Sequence, residues 1–256
     1  MKIKITIEYD GTKFCGWQKQ DKASSVQETL EEAIEQVIAG KEKIILFGAG
    51  RTDAGVHALG QVAHFGLRTN PVIERWIHNI HNLSKAINFY LIDSGIVVIK
   101  SEIVAEEFHA RFSATMRHYE YVILNRQQAS PILAGRAWHV SRLLDPQKMS
   151  IAAEYFVGTH DLDSFRSSHC SAENSVRSIS CVNVSKNDDL ITISVSAKSF
   201  LHNQVRIMVG TLKMIGYGKC SPDFVKFLLE RPDRRNSGET APPYGLFLKR
   251  VDYDPI

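Results

Sequence analysis

Residues 47–58 of the chain read Phe-Gly-Ala-Gly-Arg-Thr-Asp-Ala-Gly-Val-His-Ala, directly after the apolar run Ile44–Leu46. Four apolar residues followed by Gly48 and Gly50 predict a buried strand that opens into a loop. Glycine in such a loop permits backbone conformations and close approaches that other residues do not. The loop presents a single acid, Asp53.

Asp53 is the only carboxylate between Glu42 and Glu74. Arg51 lies two residues before it and His57 four residues after it, so no like charge nearby in the sequence opposes its ionisation. We therefore expect Asp53 to be ionised at neutral pH. The ordinary alternative is that Asp53 caps a helix or closes a turn, as Asp often does.

The glycines of this loop match neither of two phosphate-binding motifs. In a dinucleotide fingerprint the third glycine would stand where Asp53 stands, and no Gly-Lys-Ser/Thr follows as in a phosphate loop. The loop is therefore not predicted to hold a phosphate in either of these two ways.

The segment Arg51–His57 closely resembles the signature of the tRNA pseudouridine synthase A family, in which the Asp is the catalytic residue. The resemblance extends over nearly the whole length of the chain, with one departure at residues 82–87. The other family-like stretches are Gly16–Gln18, Phe108–Ala114, the pair Tyr119 and Tyr121, Val205–Gly210, and Gly245–Leu246.

The composition is that of an ordinary globular protein. The chain has 256 residues, of which 44% are hydrophobic and 23% charged, enough for one large or two moderate domains. Its N-terminus alternates like a strand, unlike a signal peptide, and no run approaches membrane-spanning length. We expect a cytoplasmic protein without a membrane partner. The four cysteines have no metal-binding spacing, so no metal site is expected.

The charge is unevenly distributed although the net charge is only +3. Residues 111–142 contain five arginines against one acid, Glu120, and residues 190–222 contain four cations and no acid. Brought together, these segments would form an electropositive surface suited to phosphates. The alternative is that their cations are dispersed over solvated faces.

The predicted elements give an α+β fold. Ser25 to Glu28 forms a capping box at the start of a helix, and residues 118–124 alternate as a strand. A second helix is predicted over residues 200–215, with His202, Arg206, Gly210 and Lys213 on one polar side, where the glycine would let something approach closely. The ordinary interpretation of that side is a solvated face.

Strand, helix and strand recur in each half, and we place a domain boundary between residues 1–107 and 108–256. The resemblance implies two related domains with antiparallel sheets flanked by helices, the pseudouridine synthase fold, with the active cleft between them and a homodimer as the working unit. Phe14 and Trp17 are placed in a loop, where they would stack on bases or, more commonly, pack as core.

The resemblance also implies roles for individual residues. Asp53 would be catalytic, Arg206 would pair with it, Tyr119 would touch the target base and Leu246 would line the pocket beneath the uracil. For Tyr119 and Leu246 the ordinary alternative is a place in the core. Further residues expected to bind substrate are Arg51, Arg111, Arg117 and His202.

The activity implied is isomerisation of uridine to pseudouridine at positions 38, 39 and 40 of the tRNA anticodon stem-loop, without a cofactor. Asp53 would attack C1′ as a nucleophile or remove the 2′ proton to form a glycal, and the sequence does not choose between these. Two rival functions remain from the residues alone: another carboxylate enzyme acting at C1′, such as a nucleoside hydrolase or transferase, and a non-catalytic RNA-binding module.

Overall fold

A computed structural model of the chain describes residues 1–21, 23–39, 42–68, 79–168, 170 and 172–254. The chain divides into two compact units, one made of Met1–Thr115 with Leu248–Ile256 and the other of Met116–Phe247. Strands and helices alternate in both units, so the predicted α+β class is confirmed. No helix among the described residues is long and apolar enough to span a membrane.

In its described residues, the first unit is an antiparallel sheet with two α-helices. Its strand order is β4-β1-β3-β10, with β2 paired to β3, and β1 runs antiparallel to both of its neighbours. The elements are β1 (Lys2–Tyr9), α1 (Val26–Val37), β2 (Phe47–Gly48), β3 (His57–Gly66), α2 (Ile80–Tyr90), β4 (Ile96–Val104) and β10 (Leu246–Tyr253), of which β10 starts in the second unit.

Alternation along β1 puts Ile3, Ile5 and Ile7 on one face of the sheet, where all three are fully buried. Helix α2 packs on β4 and against α1. Polar side chains also join α2 to β4: the Asn88 side chain bonds both the amide and the carbonyl of Val98, at 2.7 and 2.9 Å. This layer supports the strands that lead into the Asp53 loop.

The predicted capping box is confirmed at its first bond, because the Ser25 hydroxyl accepts from the Glu28 amide at 3.2 Å. The predicted end of this helix at Gly40 lies outside the described residues. The strand predicted over residues 44–47 is wrong in part. Only Phe47–Gly48 pairs as a strand, and Ile45 and Phe47 are 59% and 47% exposed.

The physical reason is that α1 replaces a neighbouring strand. Glu31 accepts the Leu46 amide and Glu35 accepts the Ile44 amide, each at 2.9 Å. These carboxylates satisfy backbone donors that a ladder would otherwise use, so the segment needs no second partner strand.

The second unit is also an antiparallel sheet with helices, in the strand order β5-β9-β8-β7, with β6 parallel to β5. Helix α3 packs on β8 and against α4. The elements are β5 (Ala114–Leu124), β6 (Trp138–His139), α3 (Pro146–Glu154), β7 (Gly158–Asp161), β8 (Val176–Asn187), β9 (Leu190–Ala197), α4 (Gln204–Gly216) and α5 (Phe224–Glu230).

The predicted strand over residues 118–124 is confirmed and begins four residues earlier, at Ala114. The helix predicted from Phe200 begins instead at Gln204. Asn203 has a left-handed backbone, with φ of 63°, and the Gln204 side chain turns back to accept the Leu201 amide at 2.8 Å. A left-handed residue cannot continue a right-handed helix, so the helix begins after it.

The division between the units differs from the expected boundary at residues 107 and 108. Phe108 and Ala110 join a buried cluster with Ala49 and Val62 of the first unit. The Tyr253 hydroxyl of β10 donates to the Ala110 carbonyl at 2.8 Å. These contacts keep residues 108–115 with the first unit and return the C-terminal strand to it.

His64, in β3, is held as a neutral hydrogen-bond acceptor. Only 4% of the residue is exposed, and its Nδ1 accepts the Ala110 amide at 3.1 Å. Burial, then His109 and Lys2, lower the pKa of His64 to about 4. The unfolded chain therefore binds a proton between pH 6.5 and 4 that the folded chain does not.

We expect this proton to make the protein less stable in mild acid. For His64, the free energy of unfolding should fall by about 2 kcal/mol between pH 7 and pH 5. Urea unfolding at both pH values would measure the loss, which His64→Gln should reduce. The control His81→Gln, at an exposed histidine of α2, should follow the parent. An equal loss in parent and His64→Gln would contradict the expectation.

Candidate active site

Asp53 lies half-buried in the loop between β2 and β3 of the first unit. Its backbone closes a turn, in which the Val56 amide donates to the Asp53 carbonyl at 3.1 Å and Gly55 has φ of 77°. It also forms an isolated antiparallel bridge with Gly16. The turn-forming interpretation is thus correct for the backbone of Asp53.

Two buried polar side chains support the loop from the sheet. The Gln61 side-chain amide donates to the Gly50 carbonyl at 2.8 Å, and the Tyr9 hydroxyl lies 2.7 Å from the Thr52 hydroxyl. Gln61 is fully buried and Tyr9 is 3% exposed. Burial raises the pKa of Tyr9, so it remains a neutral phenol. These bonds hold the residues on the N-terminal side of Asp53.

Sequence reasoning missed both supports. Gln61 carried a signal, because it is an amide directly before the apolar pair Val62 and Ala63 within a strand, and a buried amide requires partners. Tyr9 gave no such signal in the sequence, because a tyrosine at the end of a strand is ordinarily a core residue. Its role depends on a hydroxyl contact with Thr52, 43 residues away.

Gly16 forms the other wall of the loop. It has φ of +114°, and a Cβ placed there would lie 2.6 Å from the Thr52 carbonyl oxygen. The next residue donates through its amide to the same oxygen, with Trp17 N to Thr52 O at 3.0 Å. Only glycine permits this approach of the two backbones.

The structure places Phe14 and Trp17 in the core, where they are 8% and 2% exposed. A Cβ on Gly48 would lie 2.6 Å from the Trp17 ring, so the indole packs on the strand that enters the loop. These burials favour the core interpretation of the two aromatics over stacking on bases.

The two neighbours of Asp53 in the sequence have different surroundings. His57 is 2% exposed, and its Nδ1 lies 3.1 Å from both the Gly11 amide nitrogen and an Asp10 carboxylate oxygen. Arg51 is exposed beside the loop, and so is Arg111 elsewhere in the first unit. His57 thus ties the C-terminal side of the loop to the end of β1, whereas the two arginines present cations to solvent.

Arg206 lies half-buried in the first turn of α4, in the second unit. Its Nε donates to the Ala241 carbonyl and its Nη1 to the Asn203 side chain, both at 2.7 Å. Two fixed nitrogens give the planar guanidinium a defined direction. Asn203 and Ala241 were not predicted from the sequence.

The remaining predicted residues of the second unit are mostly covered. Tyr119 is 9% exposed and contacts the Phe200 ring edge-to-face at 5.1 Å, and Leu246 is 5% exposed. His202 is exposed. Arg117 is 8% exposed and donates to the Lys198 carbonyl at 2.6 Å. Burial argues against Arg117 as a phosphate ligand, because phosphates require donors that solvent can reach.

The sequence predicted a close approach at Gly210 of α4, and the backbone of this same chain makes that approach. A Cβ on Gly210 would lie 1.8 Å from the Glu239 carbonyl oxygen. Lys213 bonds the Glu239 carboxylate at 2.6 Å and lies 4.1 Å from the centre of the Trp138 ring. The polar side of the helix is therefore neither a solvated face at these positions nor open to a ligand there.

The described residues include no group of three His, Cys, Asp or Glu side chains placed to hold a metal ion. The chemistry that this geometry does support is that of one carboxylate on a firmly held loop.

Comparison with known proteins agrees with the motifs. A family model described as tRNA pseudouridine synthase matches residues 5–94 and 152–254. The tRNA pseudouridine synthase A of Ehrlichia canis is 48% identical over 254 residues, covering 99% of this chain and 100% of that protein. The chain belongs to the tRNA pseudouridine synthase A family.

Other members of the tRNA pseudouridine synthase A family are similarly close. Those of Neorickettsia sennetsu and Allorhizobium ampelinum are 48% and 47% identical, covering 99% and 98% of this chain and 100% and 95% of theirs. A chain in a crystal structure of a Cbf5-Nop10-Gar1 complex matches 82% of this chain and 44% of that one, with 11% identity. Its TM-score of 0.34 supports no conclusion.

We expect Gly16→Ala to disturb the Asp53 loop more than its backbone angle alone explains. Gly158→Ala is the matched control, because Gly158 has φ of +118° and the three atoms nearest to a Cβ there belong to the His160 side chain, the closest at 3.1 Å, rather than to backbone. Both variants should lose roughly 1–3 kcal/mol of stability from the angle. Gly16→Ala should lose about 1–3 kcal/mol more from overpacking.

Urea unfolding of the two variants measures this difference. Hydrogen exchange should also show lost protection of the Trp17 amide in Gly16→Ala and not in Gly158→Ala. Equal losses of stability, with the Trp17 amide still protected, would mean that the loop tolerates a side chain at Gly16.

Proposed function

We propose that this protein isomerises uridine to pseudouridine in tRNA, with Asp53 as its catalytic residue and without a cofactor. The observation that carries the proposal is the placement of Asp53, the single acid of the family signature Arg51–His57, on a loop held from both sides. Support also comes from relatives named tRNA pseudouridine synthase A that are 48% identical over their full length.

The reaction is a rearrangement within one nucleotide. The N1–C1′ glycosidic bond breaks, the uracil turns over, C5 bonds to C1′, the proton on C5 leaves, and N1 takes up a proton. Atoms and electrons balance without a donor from outside. A single ionised carboxylate suffices to start this sequence, which is why one Asp on a fixed loop is an adequate catalytic apparatus.

Asp53 starts the reaction by one of two routes. As a nucleophile it would attack C1′ and form an ester that is broken when C5 attacks. As a base it would take the 2′ proton, so that a glycal forms. Both routes need the carboxylate held in one position, which is what the bonds from Tyr9, Gln61 and the Gly16–Trp17 backbone provide.

We propose further roles for residues of the second unit, on the basis of the family resemblance. Arg206 would act with Asp53 as one unit, favouring the charged carboxylate. Tyr119 would contact the target base after it leaves its stack, a displacement that costs a few kcal/mol. Leu246 would line the floor of the base pocket.

Exposed cations would hold the RNA backbone, which positions the stem without reading its sequence. Arg51, Arg111 and His202 remain proposed for this role because all three are exposed. The burial of Arg117 makes it a supporting residue of β5 instead. We also propose, on the basis of the resemblance alone, that the enzyme acts at positions 38, 39 and 40 as a homodimer, and we propose that it works in the cytoplasm.

The two rival functions predict different products. A nucleoside hydrolase or transferase would release or exchange free uracil, whereas an isomerase releases none. An RNA-binding module would not need the Asp53 carboxylate. Sequencing of pseudouridines in tRNA from cells with and without the gene would also test positions 38, 39 and 40.

We expect Asp53→Asn to abolish pseudouridine formation, by at least a thousandfold, and to leave the Kd for tRNA within about threefold. The amide keeps the shape of the side chain and removes the ionisable oxygen. Tritium release from tRNA labelled at uridine C5 measures turnover, and filter binding measures Kd. The control Asp93→Asn removes an exposed acid from a turn with φ of 61°, and it should behave as the parent. Residual activity within tenfold of the parent would assign the chemistry elsewhere.

For Arg206 we expect losses of activity that do not add to those of Asp53. Arg206→Met alone should lower kcat by at least a hundredfold. Combined with Asp53→Asn, it should cost little more, because residues that act as a unit are not independent. Single-turnover rates of the two single variants and the double variant measure the coupling. Independent, multiplying losses would reject a joint role.

A further inference from the structure

Four rings of the first unit form a continuous row, which we call the ring surface: Phe47, His64, His109 and Phe112. Successive ring centroids lie 5.2, 4.6 and 4.4 Å apart. The two ends are open, with Phe47 47% and Phe112 74% exposed. Exposed rings that continue a buried aromatic row mark a surface where something binds more often than isolated apolar residues do.

The segment that carries Phe112 is held in one conformation. His109 Nδ1 accepts the amides of Arg111 and Phe112, at 3.1 and 3.4 Å. The Ser113 hydroxyl accepts the His109 amide at 3.0 Å, and the Ser113 amide donates to the His109 carbonyl at 2.9 Å. Ordering this turn therefore costs nothing further when a ligand binds, which favours affinity.

The ring surface is cationic at its exposed end. The Arg111 guanidinium carbon lies 5.7 Å from the Phe112 ring centroid. Lys2, whose charge acts on both histidines of the row, donates to the carbonyls of Glu106 and Phe108. Two exposed acids, Glu106 and Glu107, precede the segment, and Glu106 is paired with the N-terminal amine at 3.1 Å.

The ring surface is also close to the catalytic loop. Phe47 precedes Asp53 by six residues in the same unit, and a chain that is fully extended spans at most about 3.3–3.6 Å per residue. The two Cα atoms are therefore no more than about 20 Å apart. Phe112 stands at the other end of the row, three ring contacts from Phe47, so it would meet a nucleotide further along the RNA than those beside the target ribose.

We propose that the ring surface is a second, non-catalytic base-binding site for the RNA substrate. An unpaired base stacks on the exposed face of Phe112, and Arg111 contacts an adjacent phosphate. Aromatic faces beside cations are how proteins bind unpaired nucleotides without reading sequence. RNA fits as the occupant because a cation stands beside the exposed ring and the proposed substrate is a polyanion. This inference rests on the proposed function, which supplies RNA as the ligand.

Binding measured in the Asp53→Asn background separates this site from catalysis. Phe112→Ala should raise the Kd for tRNA about fivefold to a hundredfold, the range measured for loss of one base stack. Phe112→Trp should bind within about threefold of the background protein. The control Phe89→Ala removes a ring of similar exposure, 67%, from the end of α2 in the same unit, and should leave the Kd unchanged.

Salt dependence identifies the kind of contact that each residue makes. Phe112→Ala should shift Kd equally at all potassium chloride concentrations, because stacking releases no counterions. Arg111→Gln should lower the slope of log Kd against log salt by about 0.7–0.9, as for one lost phosphate contact. A Phe112→Ala variant that binds tRNA like its background would overturn the proposal. So would one whose only change, by sedimentation, is its oligomeric state.

The parent chain is assayed in parallel for pseudouridine formation. If the parent forms none while Phe112→Ala still weakens tRNA binding, the isomerase assignment fails and the base-binding site stands. If the parent is active and Phe112→Ala binds normally, only the base-binding site fails.

Discussion

The geometry of the site depends on how the loop before Asp53 satisfies its own polar groups. The chain leaves the sheet after Gly48, so the backbone carbonyls and side-chain hydroxyls of the loop need hydrogen-bond partners other than a neighbouring strand. The Gln61 amide takes the Gly50 carbonyl at 2.8 Å, and the Tyr9 hydroxyl lies 2.7 Å from that of Thr52. Each of these partners is buried in the sheet, where an unpaired polar group costs about 1–3 kcal/mol. The loop and the buried side chains of the sheet therefore satisfy each other's hydrogen bonds.

The segment before the loop also satisfies its backbone amides with side chains rather than with a neighbouring strand. The amides of Ile44 and Leu46 donate to Glu35 and Glu31 of α1, so a helix holds the segment that leads into the loop. Because these hydrogen bonds come from helix side chains and not from a second strand, the side chains of residues 44–47 are alternately buried and exposed. Phe47 is therefore half exposed. The exposed ring at the start of the loop is therefore a consequence of how its backbone is paired.

The features that the sequence predicted correctly depend on residues that are close together in the chain. The Ser25 cap, the strand over residues 118–124 and the turn at Asp53 each follow from residues within one or two turns of chain. The failures required partners that are distant in the chain. Nothing near Arg117 indicates that its guanidinium bonds Lys198, 81 residues away. In the same way, the polar side of α4 predicted a solvated face or a close approach at Gly210, and spacing along one helix cannot reveal that Glu239 makes this approach.

His64 and His109 of the ring surface contribute both to the stability of the fold and to the proposed binding of RNA. Each Nδ1 accepts backbone amides, so each imidazole must be neutral for the turn over residues 109–113 to close. Burial lowers the pKa of His64 and of His109, and so secures that state at neutral pH. A charged imidazole in either place would donate where it must accept, and the Phe112 ring would lose its support. The positive charge at this end of the unit then belongs to Arg111 and Lys2.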